Sequence, residues 1–156
     1  MRDTTELHAE NPEQLFHALV DVVDGLLVAR SKYVVIERSP SRYVQALVDG
    51  DGALQIETVS NGFLEAEARL SAGNEALLDH MRWSPPSDHS PNWHRTFVHQ
   101  WPWPAPVAAQ LLAYALLTVH DVGSEPLALT LTLTYGDAAS AMHVRPCDEQ
   151  CRMLAA

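Results

Sequence analysis

Residues 127–135 have the sequence LALTLTLTY, in which leucine alternates with alanine or threonine. Successive side chains of a β-strand point to opposite faces of a sheet, so this alternation predicts a strand with one strongly apolar face. The segment carries no charge and favours β-structure, which would make an open edge prone to aggregation. We therefore expect it to pair inside a sheet or with a second copy of the chain, through Leu129, Leu131 and Leu133.

The front half of the chain predicts a helix followed by three strands. Asn11 is a suitable N-cap, Pro12 suits the first helical position, and apolar residues then recur at helical spacing. Strands are predicted at residues 33–38, 43–48 and 53–60, with the hairpin signal DGDG at 49–52 between the last two. Residues 1–10 are polar, and we expect them to form a flexible N-terminus.

The segment from residue 81 to 106 contains all four tryptophans of the chain and six of its ten prolines. Ser71 predicts the start of a short helix that ends before this segment, and alternation over residues 93–100 predicts a fourth strand. We interpret Trp83 and Trp93 as structural. Aromatic side chains beside prolines also suit a protein contact, so Phe97, Trp101 and Trp103 are predicted to bind a partner.

A third helix is predicted at about residues 105–121, and it is apolar on nearly every side. Its polar residues form one stripe, Gln110, Tyr114 and Thr118. Such a helix is buried either in the core or in an oligomer interface. The patterned region predicts a single α+β domain over residues 11–136, followed by a weakly ordered tail at 137–156.

Charge excludes several kinds of partner. The net charge is −10, and lysine occurs once, at Lys32. Binding to nucleic acid or to an anionic membrane requires clustered cations, so neither is expected. No apolar run is long enough to cross a membrane and no secretory leader is apparent, so the expected location is the cytoplasm.

The segments between the predicted elements carry a family resemblance. They are VSNGFL at 59–64, LS at 70–71, WSPP at 83–86 and SPNW at 90–93. Together, over about residues 10–122, they resemble the actinobacterial branch of the type III secretion chaperone-like and YbjN-like (TY-chap) domains. Arg82 stands where the family pattern has a glycine, and the Leu/Thr strand is more regular than the family pattern.

The resemblance implies an α+β fold with a curved antiparallel sheet of about five strands and helices packed on one face, in the order α-β-β-β-α-β-α-β. It also implies binding rather than catalysis. Secretion chaperones of this fold are homodimers that hold an extended segment of a client protein. The resemblance therefore favours a chaperone-like, protein-binding homodimer.

The residues that could carry chemistry form no recognisable site. His80, His89, His94 and His99 match no metal-ligand spacing. Cys147 and Cys151 are interpreted as unpaired thiols of the tail, with a disulfide between them as the alternative. The chain has no nucleophile elbow and no phosphate-binding loop. We therefore predict no enzymatic activity, no cofactor and no metal.

Three functional hypotheses follow. The first is a non-enzymatic module that holds an extended segment of a client, in connection with secretion. The second is a toxin-neutralising or structural interaction protein of the same fold, which uses its acidic surface against a basic partner. The third is a small-molecule or metal-binding protein.

Overall fold

Six strands and three α-helices make up the part of the chain that the computed structural model describes, which is residues 3–30, 32–39, 42–98, 102–120 and 129–137. In chain order the elements are β1 (Asp3–Ala9), α1 (Pro12–Ala29), β2 (Lys32–Ser39), β3 (Arg42–Val48), β4 (Leu54–Thr58), α2 (Ala72–His80), β5 (Trp93–Phe97), α3 (Ala105–Tyr114) and β6 (Leu129–Asp137). A π-helical segment, Ala115–Val119, continues directly from α3.

Side-chain caps fix the starts of the first two helices where the sequence predicts them. The side chain of Asn11 accepts a hydrogen bond from the Gln14 backbone N–H at 2.8 Å. Gln14 in turn accepts one from the Glu10 backbone N–H at 2.9 Å. At α2 the hydroxyl of Ser71 accepts from the Asn74 backbone N–H at 3.1 Å. Each cap satisfies a backbone donor that the first helical turn leaves without a partner.

The strands form one antiparallel sheet in the order β1-β6-β2-β3-β4-β5. The predicted α+β class, with an antiparallel sheet and helices on one face, is confirmed, and the elements follow the predicted order with one added strand. The Leu/Thr strand, β6, lies between β1 and β2. Of the two alternatives considered for it, pairing inside a sheet is the one found.

One face of the sheet forms the core beneath the helices. Residues directly opposite each other on antiparallel strands share a face, and the register places Val34 opposite Ala46 and Ala46 opposite Ile56. All three are buried, as are Leu131 and Leu133 of β6. The helices add apolar side chains to the same core: Leu15, Leu19, Val23, Leu112 and Leu116.

The second face of the sheet is more polar. On β6 it presents Thr130, Thr132 and Thr134, all half-buried. Beyond them, the ring of Tyr33 lies against Gly136, its direct neighbour on β6, and a Cβ at position 136 would overlap that ring. This position therefore requires glycine for reasons of space.

The prediction of a flexible segment over residues 1–10 is wrong for Asp3–Ala9. These residues form β1, which pairs with β6 along its whole length. The physical reason is that β6 offers a row of backbone donors and acceptors that a neighbouring strand can satisfy whatever its side chains are. Only Leu7 and Ala9 of β1 are buried, so its sequence carries little apolar signal.

The helix predicted at residues 105–121 is divided in two. Its first part is α3, and the second is the π-helical segment, closed by a hydrogen bond from the His120 N–H to the Ala115 carbonyl at 2.9 Å. A π-turn holds one more residue than an α-turn, and such turns often occur at functional sites. The side chain of Asn74 on α2 donates to the Val119 carbonyl at 3.1 Å, which ties the end of this segment to α2.

Helix α2 ends in a Schellman motif whose C′ residue is Arg82. The Arg82 N–H donates to the Asp79 carbonyl at 2.9 Å, and the Trp83 N–H donates to the Leu78 carbonyl at 3.0 Å. Arg82 has φ of 64°, in the left-handed region that favours glycine. A glycine, which the resemblance leads us to expect at this position, would adopt this conformation without strain.

Replacing Arg82 with glycine should raise the free energy of unfolding by about 0.5–1 kcal/mol, because relief of left-handed strain exceeds the entropy that glycine adds to the unfolded chain. Urea denaturation measures this change. Arg82→Ala is the matched control, since it removes the side chain but keeps the Cβ. Equal stability of the glycine and alanine variants would contradict this account of the helix end.

Candidate functional site

Apolar side chains are exposed around the connection between β5 and α3. Trp103 is 39% exposed and Val98 is 69% exposed. The indole N–H of Trp103 donates to the carboxylate of Asp24 on α1, which fixes the orientation of the ring. Val28, one helical turn after Asp24, is 79% exposed. We use the name apolar corner for Phe97 and Val98 at the end of β5, Trp103 at the end of the same connection, and Val28 on the helix that Trp103 contacts.

Phe97 is the inner member of the apolar corner. It lies opposite Leu54 on β4 and is half-buried against the core. The guanidinium of Arg95 lies 5.2 Å from the centroid of its ring, a cation–π contact. Arg95 also donates to the Met81 carbonyl at 3.0 Å, so the strand end is fixed to the segment after α2.

Among the described residues, the outer edge of β5 has a hydrogen-bonded partner at its first residues and none at Thr96. Ser84 and His94 exchange two backbone hydrogen bonds, of 2.7 and 3.1 Å. Because outward-pointing residues alternate along an edge strand, the next one is Thr96. No backbone partner for Thr96 on this side is present among the described residues. The open part of the edge therefore lies directly beside Phe97.

The motifs that carry the family resemblance bind to each other. The hydroxyl of Ser60 donates to the Pro91 carbonyl at 2.7 Å, and the Ser60 N–H donates to the side-chain oxygen of Asn92 at 3.3 Å. The side chain of Asn61 joins the two ends of the following loop. It accepts a hydrogen bond from the Leu70 N–H at 2.6 Å and donates one to the Leu70 carbonyl at 3.1 Å. These polar residues are thus occupied in holding loops together.

A carboxylate on the second face of the sheet is satisfied by amide groups. Glu57 accepts hydrogen bonds from Gln45, from Gln55 at 2.7 Å and from Asn92 at 3.3 Å. Asn92 also donates to the hydroxyl of Tyr43 at 3.2 Å. The network joins the loop before β5 to β3 and β4, which supports the position of the β5 edge.

Under the π-helical segment lies a buried histidine. His120 is 4% exposed, and its Nε2 shares a hydrogen bond of 2.7 Å with the hydroxyl of Thr58. Its Nδ1 is buried and has no hydrogen-bond partner among the described residues. Burial, and secondarily the positive charge of Arg42, lowers the pKa of His120 to about 4. The neutral form is therefore strongly favoured at neutral pH.

Two cavities border α1. A groove of about 440 Å³ lies between α1 and α3, and its lining has five apolar or aromatic residues and three polar ones: Pro12, Phe16, Ala113, Tyr114 and Leu117, with Glu13, Gln110 and Thr118. A second cavity, of about 380 Å³, lies between the later turns of α1 and the ends of β2 and β6.

An ion pair stands at the second cavity. Lys32 and Asp137 form a hydrogen-bonded pair of 2.6 Å, which raises the pKa of Lys32 and lowers that of Asp137. The half-buried Tyr135 lines the cavity as well, and burial raises the pKa of its hydroxyl. The ammonium of Lys32 is thus already engaged by a carboxylate.

The residues predicted from the sequence to form sites lie in different parts of the fold. Phe97 and Trp103 both belong to the apolar corner, whereas Trp101 lies outside the described residues. Leu131 and Leu133 are buried beneath the helices and Leu129 is half-buried, while β1 occupies the edge of β6 at which a second copy would pair. Trp83 and Trp93 are buried, as predicted.

Sequence reasoning missed His120 and Thr58. They are 62 positions apart, and neither stands in a motif, so no local signal pairs them.

His80 and His89 are exposed, while His99, Cys147 and Cys151 lie outside the described residues. Within the described ranges, no group of three or more His, Cys, Asp or Glu side chains is arranged to hold a metal ion. No helix there is long and apolar enough to span a membrane.

Comparison with known proteins gives one match. The family model TY-Chap3, described as "T3SS (YopN, CesT) and YbjN peptide-binding chaperone 3", matches residues 13–134. The match runs from the first turn of α1 into β6, and it includes Phe97 and Trp103. No curated protein and no solved structure matches the chain.

Acid should destabilise the fold through His120. The unfolded state takes up a proton near pH 6.5 but the folded state only near pH 4, so stability is full above pH 6.5 and falls as the pH drops towards 4. At pH 5 the protonation of His120 in the unfolded state should lower the free energy of unfolding by about 2 kcal/mol relative to neutral pH.

Urea denaturation at pH 7.5 and pH 5 tests the effect. His120→Gln keeps a polar group near Thr58 but does not titrate, and it should lose less stability between the two pH values than the wild type. His89→Gln, at an exposed position, is the control and should behave like the wild type. The same pH dependence in His120→Gln and the wild type would contradict the assignment.

Proposed function

Because the chain belongs to the TY-Chap3 family of peptide-binding chaperones, we propose that it holds an extended segment of a client protein and does not transform it chemically. The observation that carries the proposal is the open end of the β5 edge beside the apolar corner. An extended peptide can form backbone hydrogen bonds with a free strand edge, and its side chains can pack against an exposed aromatic ring.

The client backbone would extend the sheet at Thr96. Hydrogen bonds to a strand edge give affinity for any sequence, and pockets for alternate side chains give selectivity. Trp103 supplies the first such contact, because its hydrogen bond to Asp24 holds the ring in place before a client arrives. A side chain fixed in advance loses little entropy on binding.

Charge narrows the kind of client. With a net charge of −10, the protein should associate faster with basic segments than with acidic ones. The negative net charge also supports the second functional hypothesis, in which the acidic surface of the protein binds and neutralises a basic partner such as a toxin. A link to secretion and a cytoplasmic location belong to the proposal as well, on the strength of the type III secretion chaperones that the family description names.

The proposal includes a homodimer. The groove between α1 and α3 is lined mainly by apolar atoms, and Tyr114 and Val107 are exposed on α3. A second copy that places the same surface against the groove would bury these side chains symmetrically.

Substitution of Trp103 tests the binding surface. Peptides selected from a phage-displayed random library for binding to the wild type should bind Trp103→Ala about 30-fold more weakly, the loss typical of an aromatic hot spot. Trp103→Phe is the matched control, because it keeps an aromatic ring and should lose much less affinity. Urea denaturation of both variants separates binding from stability. Unchanged affinity in Trp103→Ala would exclude the apolar corner as the binding site.

Light scattering after size-exclusion chromatography tests the homodimer. The wild type should have the mass of a dimer at micromolar concentration, and Tyr114→Asp should be a monomer because a charge cannot be buried in an apolar contact. Ala76→Asp places the same charge on the exposed surface of α2 and should leave the dimer intact. A wild type of monomer mass would rule out this part of the proposal.

A further inference from the structure

Strand β1 lies outside the part of the chain that the family model matches. The family match begins at residue 13, so the whole of β1 precedes it, whereas β6 lies within the match up to Thr134. In the sheet that the described residues form, β1 pairs with β6 alone, and it adds Leu7 and Ala9 to the core. Within the matched range β6 is the last described strand, and its outer edge is covered by residues that precede the match.

Few side-chain contacts hold β1 against β6. Five of the seven residues of β1 are exposed. One side-chain hydrogen bond to β6 is present among the described residues, between His8 Nδ1 and the Thr130 hydroxyl at 3.0 Å. The pairing of β6 with β2, on the other side, has more side-chain support. Residues 33–36 of β2 are all buried, and Lys32 of β2 forms an ion pair with Asp137 of β6.

The rest of the fold begins independently of β1. Asn11 caps α1, and Pro12 sets the direction of its first turn, so the helix start is fixed after β1 ends. Only Glu10 and Asn11 lie between the two elements. Departure of β1 would cost the burial of Leu7 and Ala9 and the ladder of backbone hydrogen bonds, but a replacement strand would restore both.

The register of β1 defines what a replacement must look like. Thr5, Leu7 and Ala9 lie opposite Leu133, Leu131 and Leu129, on the face beneath the helices. The intervening residues of β1 lie opposite the threonines of β6. A fitting peptide is therefore extended, with a large apolar side chain followed two positions later by a small one, and with polar residues between them.

We infer that the outer edge of β6 is a second strand-accepting site, which β1 occupies in place of an extended peptide of this pattern. The inference goes beyond the proposed function, because it concerns the opposite edge of the sheet from the apolar corner. Occupation by β1 keeps the uncharged Leu/Thr residues 129–134 of β6 covered until a peptide displaces it.

A fluorescein-labelled peptide with the sequence of residues 1–10, MRDTTELHAE, tests the inference on the full chain. Leu7→Asp places a carboxylate at a buried position and should release β1. This variant should bind the peptide at least about 10-fold more tightly than the wild type, in which the site is occupied. Thr5→Asp carries the same charge at an exposed position of the same strand and should bind like the wild type. Fluorescence anisotropy measures all three.

Equal binding by the three proteins would overturn the inference, and so would no binding by a folded Leu7→Asp. Loss of the far-ultraviolet circular dichroism of Leu7→Asp would also overturn it, because β1 would then be required for the fold.

Hydrogen exchange of the wild type gives an independent measurement. The amides of residues 4–9 should exchange at least about 10-fold faster than those of residues 33–36. Equal rates would count against a replaceable β1. Trp103→Ala should not change binding of the β1 peptide, so failure at this edge is distinguishable from failure at the apolar corner.

Discussion

Both edges of β6 have to be hydrogen-bonded, and much of the fold follows from this requirement. An uncharged strand of alternating leucine and threonine cannot face water along an edge without inviting other chains to pair with it. On one side β2 meets the need and begins the meander that continues through β3, β4 and β5. On the other side β1, from the opposite end of the described chain, forms the hydrogen bonds with β6. The two strands that are farthest apart in sequence are therefore neighbours in the sheet.

Much of this fold could be predicted from local sequence. The caps at Asn11 and Ser71, the meander of three strands and the Leu/Thr strand all have signals within a few residues, and the structure contains each of them. The first strand could not be predicted, because its partner is more than 120 positions away and only Leu7 and Ala9 are apolar and buried. Edge strands expose one side to water, so their sequences resemble those of polar loops.

The candidate site was only partly predictable. Proline and tryptophan together indicated an aromatic surface near the end of β5, and Trp103 is exposed there. What the sequence could not provide was the role of Asp24, which belongs to another element and holds the indole in position. The polar motif residues were also ambiguous, since Asn61 and Asn92 could have faced a partner. In the structure Asn61 bonds the backbone of Leu70. Asn92 bonds the Ser60 N–H, the Tyr43 hydroxyl and the Glu57 carboxylate, so both side chains are engaged within the domain.

The π-helical segment has an evolutionary consequence. A π-turn arises when one residue is inserted into an α-helix, and the insertion rotates every later side chain by about 100° relative to the sheet. Here the rotation brings His120 over Thr58. In a relative that lacks the extra residue, a different side chain would stand over this strand position, and a threonine there would lose its partner. The length of this helix and the polarity of the strand beneath it should therefore change together in the family's history.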